Sequence, residues 1–108
     1  MNNPSRILFF VTAIVASSVA ASAADGQQLF LNSCVACHGA DGKGLTPAGK
    51  KLGAKDLTQS TLGDGEIEKQ IATGDKDAKG KSRMPAFGAL LSPEDTAALV
   101  AYVKSLRH

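Results

Sequence analysis

The chain has 108 residues, two cysteines, no tryptophan and a formal net charge of +2. That length holds one domain and excludes an enzyme built from separate substrate and cofactor lobes. The near-neutral balance of 12 basic and 10 acidic residues gives no support to nucleic-acid binding, which leaves a strongly basic footprint.

The first 23 residues differ in kind from the rest. Met1 to Arg6 is a short, weakly positive start, and Ile7 to Ala16 is an apolar run broken only by Thr12. Ser17 to Ala23 then turns small and ends in Ala21-Ser22-Ala23, an A-x-A cleavage pattern. The spacing predicts a secretory signal peptide over residues 1–23 and a mature domain over 24–108, with cleavage near Ala23/Ala24. If it were retained, the 18 residues from Ile7 to Ala24 would sit at the lower edge of what spans a hydrocarbon core of about 30 Å.

Three helices are predicted after Ala23. Asp25 reads as an N-cap with Gln28 three residues on, ahead of Leu29, Phe30 and Leu31. Asp64 to Thr73 places Ile67 and Ile71 four apart, with Glu66 and Glu68 early and Gly74 as the stop. Ser92-Pro93-Glu94-Asp95 combines a serine cap, a proline at the first helical position and first-turn acids. It leads into Leu99, Tyr102, Val103 and Leu106 on one face. No sustained period-two alternation predicts a strand, so Gly39–Gly53 and Gly74–Gly88 are expected to be glycine-rich loops in a small all-α domain. All 11 glycines follow Ala23, and only 19 apolar residues larger than alanine, cysteines aside, remain there to make a core. A chain so thin in large side chains buries little surface by itself, and an added group is expected at its centre.

Cys34-Val35-Ala36-Cys37-His38 is C-x-x-C-H, the attachment signature of c-type haem. Two thiols at this spacing, at a helix end, can each add across a haem vinyl group, and the next imidazole then lies beneath the iron. A thioredoxin-like redox pair needs a βαβ context, which the sequence lacks. A zinc site needs four ligands, and only Cys34, Cys37, His38 and the terminal His108 are on offer. A plain disulfide over so short a loop gains little entropy. For the second axial position Met84 competes with core filler. It sits in Arg83-Met84-Pro85-Ala86-Phe87-Gly88, where Pro85 favours an extended backbone, and its thioether would raise the potential relative to a second imidazole. His108, the other free candidate, reads as a solvated residue or helix-end cation.

These motifs, with the final Leu99-Val100-Ala101-Tyr102-Val103 segment, resemble class I cytochrome c, of the short bacterial and cytochrome c6-like mono-haem type. The likeness runs from Gly26 to Leu106. It implies a fold in which the N- and C-terminal helices cross, with Gly26 and Phe30 against Leu99 and Tyr102, and loops wrap one covalently attached haem c. It also implies that Met84 is the distal iron ligand opposite His38. Pro47 would supply the carbonyl that accepts the proximal histidine's other N–H, and Leu52 and Leu57 would pack on the haem. The function expected is a soluble periplasmic one-electron carrier, not an enzyme, that meets redox donors and acceptors in transient complexes as a monomer. Lys43, Lys50, Lys51, Lys55, Lys76, Lys79, Lys81 and Arg83 offer either a solvated basic loop set or a weak docking surface. Two other readings stay open: a haem peroxidase or gas sensor in which Met84 is labile, and a membrane-tethered subunit of a respiratory complex. If haem supplies the missing apolar bulk, the chain without haem, or with Cys34 and Cys37 both replaced by alanine, is expected to be largely unfolded. Circular dichroism and a thermal melt check this, and a native-like helical spectrum with a cooperative transition in that form would refute it.

Overall fold

The computed structural model describes residues 9–14 and 25–108. Most of the expected signal peptide and its cleavage point lie outside the described residues, and residues 9–14 are exposed with neither helix nor strand. No helix among the described residues is long and apolar enough to cross a membrane.

Helix α1, Gly26–Ser33, starts where the Asp25 carboxylate accepts the Gln28 N–H at 3.2 Å. The Gln28 side chain runs forward to Asn32 at 2.9 Å, so the cap is one-sided. One turn, α2, Val35–His38, follows directly on Cys34. Helix α3, Pro47–Leu52, is capped by the Thr46 hydroxyl and has proline at its start. A 3-10 turn over Leu57–Gln59 is capped by Asp56, which accepts both the N–H and the hydroxyl of Thr58, at 2.9 and 2.6 Å. The Thr58 hydroxyl is the main cause that holds the Asp56 carboxyl below its ordinary pKa. Helix α4, Asp64–Thr73, begins with the Glu66 carboxylate accepting the Gly63 N–H at 2.9 Å. Strands β1, Asp75–Lys76, and β2, Ser82–Met84, form an antiparallel hairpin with Asp75 opposite Met84. Helix α5, Pro93–Ser105, has a reciprocal cap: Ser92 accepts from Asp95 N–H at 3.1 Å and Asp95 from Ser92 N–H at 3.2 Å.

The three predicted helices are present, and the architecture is mostly helical as expected. Both predicted loops carry more structure than the sequence pattern suggested. Gly39–Gly53 contains α3, which is too short to display an apolar period and exists because Thr46 and Pro47 start it. Gly74–Gly88 contains the hairpin, whose two- and three-residue strands cannot show alternation. Its turn is closed by the Asp77 carboxylate, which accepts the Lys79 and Lys81 N–H groups, each at 2.9 Å.

Helix α5 lies across α1 and also packs on α4 and the 3-10 turn. Among the described residues the buried core is Phe30, Ile67, Ile71, Leu99, Val100 and Val103. Phe30 is 1% exposed and faces Tyr102, with ring centroids 5.2 Å apart and planes tilted by 53°. The α1–α5 contact depends on Gly26. A Cβ there would overlap the Ala98 carbonyl and come within 3.0 Å of Tyr102 Cβ. Gly26→Ala is therefore expected to cost about 1–3 kcal/mol through overpacking. Gly65→Ala, in α4 with nothing within 4 Å of the new methyl, is expected to stabilise by up to about 1 kcal/mol through helix propensity. Denaturant titration of the two variants checks the opposite signs.

Candidate functional site

Behind the α1–α5 contact lies a cavity of about 530 Å³, within the range of cofactor and small-ligand sites. Its walls are predominantly apolar and come from every part of the domain. Phe30 comes from α1 and Cys34 from its C-cap, Leu52 ends α3, Leu57 lies in the 3-10 turn, Ile67 and Ile71 come from α4, and Leu99 and Val103 from α5. His38 and Met84 line the same cavity.

The His38 side of the site is made locally. α2 places Cys34, Cys37 and His38 within one turn, all half-buried. Of these, Cys34 and His38 line the cavity and Cys37 does not. The Thr46 hydroxyl ties this turn to α3: its proton is shared between the Ala36 and Cys37 carbonyls, at 2.8 and 3.0 Å, while its oxygen accepts from Gly49 N–H at 2.9 Å. Burial pushes the Cys34 thiol pKa up. Burial also pulls the His38 pKa down, and the Lys55 carbonyl opposes that fall. His38 Nδ1 lies 3.2 Å from that carbonyl. A carbonyl can only accept, so Nδ1 carries the proton and Nε2 keeps a free lone pair.

This bond corrects the expectation for Pro47. The carbonyl facing His38 Nδ1 belongs to Lys55, whereas Pro47 is exposed at the start of α3 and does not line the cavity. Thr46 and Pro47 nucleate a helix, which carries the chain past His38 and brings the Ala54–Lys55 segment back towards it. Proline was the wrong residue type to follow: any residue has a carbonyl, and only the path of the chain selects which one arrives.

The Met84 side is assembled from distant segments. Met84 ends β2 and is half-buried. Gln70, unmarked by any sequence motif, lines the cavity; its amide nitrogen donates to the Gly74 carbonyl at 2.8 Å and lies 3.9 Å from Met84 Sδ. A signal for it was present, since Gln70 falls three residues after Ile67 and one before Ile71, a polar side chain on the apolar face of α4. Arg83 and Asp75, paired at 2.6 Å, stand at the mouth beside Met84. Both side chains are about 40% exposed, so the pair adds little stability. Leu52 and Leu57 both line the cavity. His108 does not line the cavity. No cluster of three or more His, Cys, Asp or Glu side chains suited to a metal occurs among the described residues.

The family model described as Cytochrome c matches residues 23–107. A cytochrome c6 from Picosynechococcus sp. is 35% identical over 99 residues, spanning 90% of this chain and 84% of that protein. A cytochrome c6 from Nostoc sp. is 35% identical over 98 residues, with 90% and 82% covered. The cbb3-type cytochrome c oxidase subunit FixP of Bradyrhizobium diazoefficiens is 35% identical over 85 residues, which are 78% of this chain and 27% of that subunit. Among solved structures, the KustC0563 c-type cytochrome superposes with a TM-score of 0.66 at 33% identity, covering 78% of this chain and 99% of its own. The chain thus belongs to the cytochrome c family, as a small class I mono-haem member with covalently bound haem c, and it is a haem-based electron carrier.

Proposed function

We propose that the chain is exported, loses residues 1–23, and works over residues 24–108 as a periplasmic one-electron carrier. In this reading Cys34 and Cys37 would hold the haem through thioether bonds, and His38 and Met84 would bind its iron. The observation that supports it best is the meeting of His38 and Met84, far apart in sequence, on one cavity beside Cys34. The cavity suits the group: it has cofactor dimensions, apolar walls, a neutral imidazole with one nitrogen free, and a thioether.

The bound haem supplies a reversible one-electron change at iron. The residues of the chain hold and tune it. The Lys55 carbonyl orients the His38 ring and adds to its basicity. Pro85 restrains Met84 to extended backbone, and the soft thioether favours the ferrous state and raises the potential. Leu52 and Leu57 keep water from the walls. With His38 and Met84 both on the iron no position would be left for a substrate, which favours carrying electrons over catalysis.

Transfer then takes place in transient complexes of a monomer with donor and acceptor proteins. Lys43, Lys50, Lys51 and Lys55 are all exposed, with no acidic residue between Lys43 and Lys55. Lys55 and Arg83 stand on the cavity wall itself. Such a surface suits an acidic partner, and attraction of this kind is screened over about 8 Å at physiological salt. A second reading has its own observation. The likeness to part of FixP favours a membrane-tethered subunit if residues 1–23 are retained, and intact mass of the exported protein separates the two.

Met84→Ala is expected to abolish the iron–thioether absorption band, lower the potential and open the ferrous iron to carbon monoxide. An unchanged band and potential would refute His38/Met84 ligation. Ready carbon monoxide binding by the unsubstituted protein would point to a labile Met84 and a peroxidase or gas sensor. For docking, the electron-transfer rate with an acidic redox partner is expected to fall as salt rises, and Lys50→Glu with Lys51→Glu to flatten that dependence. A rate indifferent to both would make the lysines a merely solvated surface.

A further inference from the structure

We propose that Gly74 is the positioning residue for Met84: its missing side chain sets how closely the methionine segment approaches the end of α4. The inference rests on the proposed Met84 ligation and adds to it the element that fixes the ligand's place.

Gly74 follows α4 and donates its N–H to the Gln70 carbonyl at 2.8 Å, closing the helix. Its φ is +68° with ψ −157°, a region open in practice to glycine alone. A Cβ on Gly74 would overlap the Met84 carbonyl oxygen and lie 2.8 Å from the Pro85 carbonyl carbon and 2.9 Å from Ala86 N. All three are backbone atoms, so no side-chain rotation relieves the clash. The segment is held on either side of this point, by the hairpin before it and by α4 after it. Met84 pairs with Asp75 in the hairpin. Beyond it, Phe87 N–H donates to the Ile71 carbonyl at 2.9 Å and Gly88 N–H to the Ala72 carbonyl at 3.1 Å. Gln70 bridges the same contact from inside the cavity, with its amide on the Gly74 carbonyl and near Met84 Sδ. A methyl group at 74 must therefore move residues 84–86 outward by roughly 1 Å to restore ordinary contact distances. Metal–ligand bonds tolerate only about 0.2 Å.

Three glycine variants separate this effect from backbone strain. Gly80 lies in the same hairpin with φ +80°, but nothing comes within 4 Å of a Cβ there. Gly80→Ala thus carries a positive-φ strain without the contact. Gly88 has no positive φ, and its Cβ would stand 3.0 Å from the Ala72 carbonyl oxygen. Gly88→Ala is a milder push on the same clamp.

The experiment compares holoproteins by their ferric iron–thioether band, reduction potential and amide exchange at Phe87 and Gly88. Gly74→Ala is expected to lose most of the band, shift the potential downward and exchange both amides faster. Gly88→Ala is expected to lie between it and the unsubstituted protein, and Gly80→Ala to keep band and potential. A full band in Gly74→Ala, or an equal loss in Gly80→Ala, overturns the proposal. If Gly74→Ala does not accumulate, Gly88→Ala decides: an unaltered band and potential overturn it. Met84→Ala, measured alongside, keeps the two levels apart. If band and potential survive Met84→Ala, the ligation reading fails; if that variant abolishes the band while Gly74→Ala keeps it, only the role of Gly74 fails.

Discussion

A cavity of about 530 Å³ at the centre of so small a domain is the constraint that organises everything else. The buried apolar core among the described residues is six side chains, and five of them, Phe30, Ile67, Ile71, Leu99 and Val103, also face the cavity. Left to water, those apolar walls would oppose folding. With a haem against them they become core, at roughly 25 cal/mol for each Å² removed from water. The scarcity of large side chains and the covalent attachment belong together. The first leaves room for the cofactor, and the second makes it as permanent as the side chains it replaces.

The two halves of the site answer to different physics. On the His38 side, the attachment residues share one helical turn, so their mutual placement is set by 1.5 Å rise and 3.6 residues per turn. Tertiary structure adds only the acceptor for Nδ1, the Lys55 carbonyl. The Met84 side has no such local rule. Its position depends on a hairpin, two backbone hydrogen bonds to the last turn of α4 and a contact at Gly74 that no side chain could share. That side is accordingly the more sensitive to small displacements.

The pieces are held in register by helix α5. It packs across α1 at Gly26 and along α4, and so joins the helix that precedes the attachment turn to the helix whose end holds the methionine segment. The ion pair between Lys104 and Asp64, at 2.6 Å, also links α5 to α4. Both of its side chains are well exposed, so it contributes less than the apolar contact beneath it. Charge in this chain lies outside the core: Lys43, Lys50, Lys51 and Lys55 are all exposed, and Lys55 also lines the cavity.

Wherever chemistry depends on neighbours along the chain, it could be read directly. The caps at Asp25 and Ser92, the apolar stripes of α4 and α5 and the Cys34–His38 motif are local patterns, and their periods follow from helix geometry. Met84 was identifiable as a ligand candidate because Pro85 follows it in a segment with no helical stripe. Elements too short to hold a period escaped: α3, and the hairpin that ends on Met84. A backbone acceptor has no residue signature, so the fold alone brings Lys55, and not Pro47, to His38. Gln70 and Gly74 show their meaning only when residues 84–88 return to α4. Sequence alone was enough to place Cys34, Cys37 and His38 together, since they lie within a single turn. Only the fold brings Met84 onto the same cavity, and how closely it approaches α4 is set by backbone segments meeting across the domain.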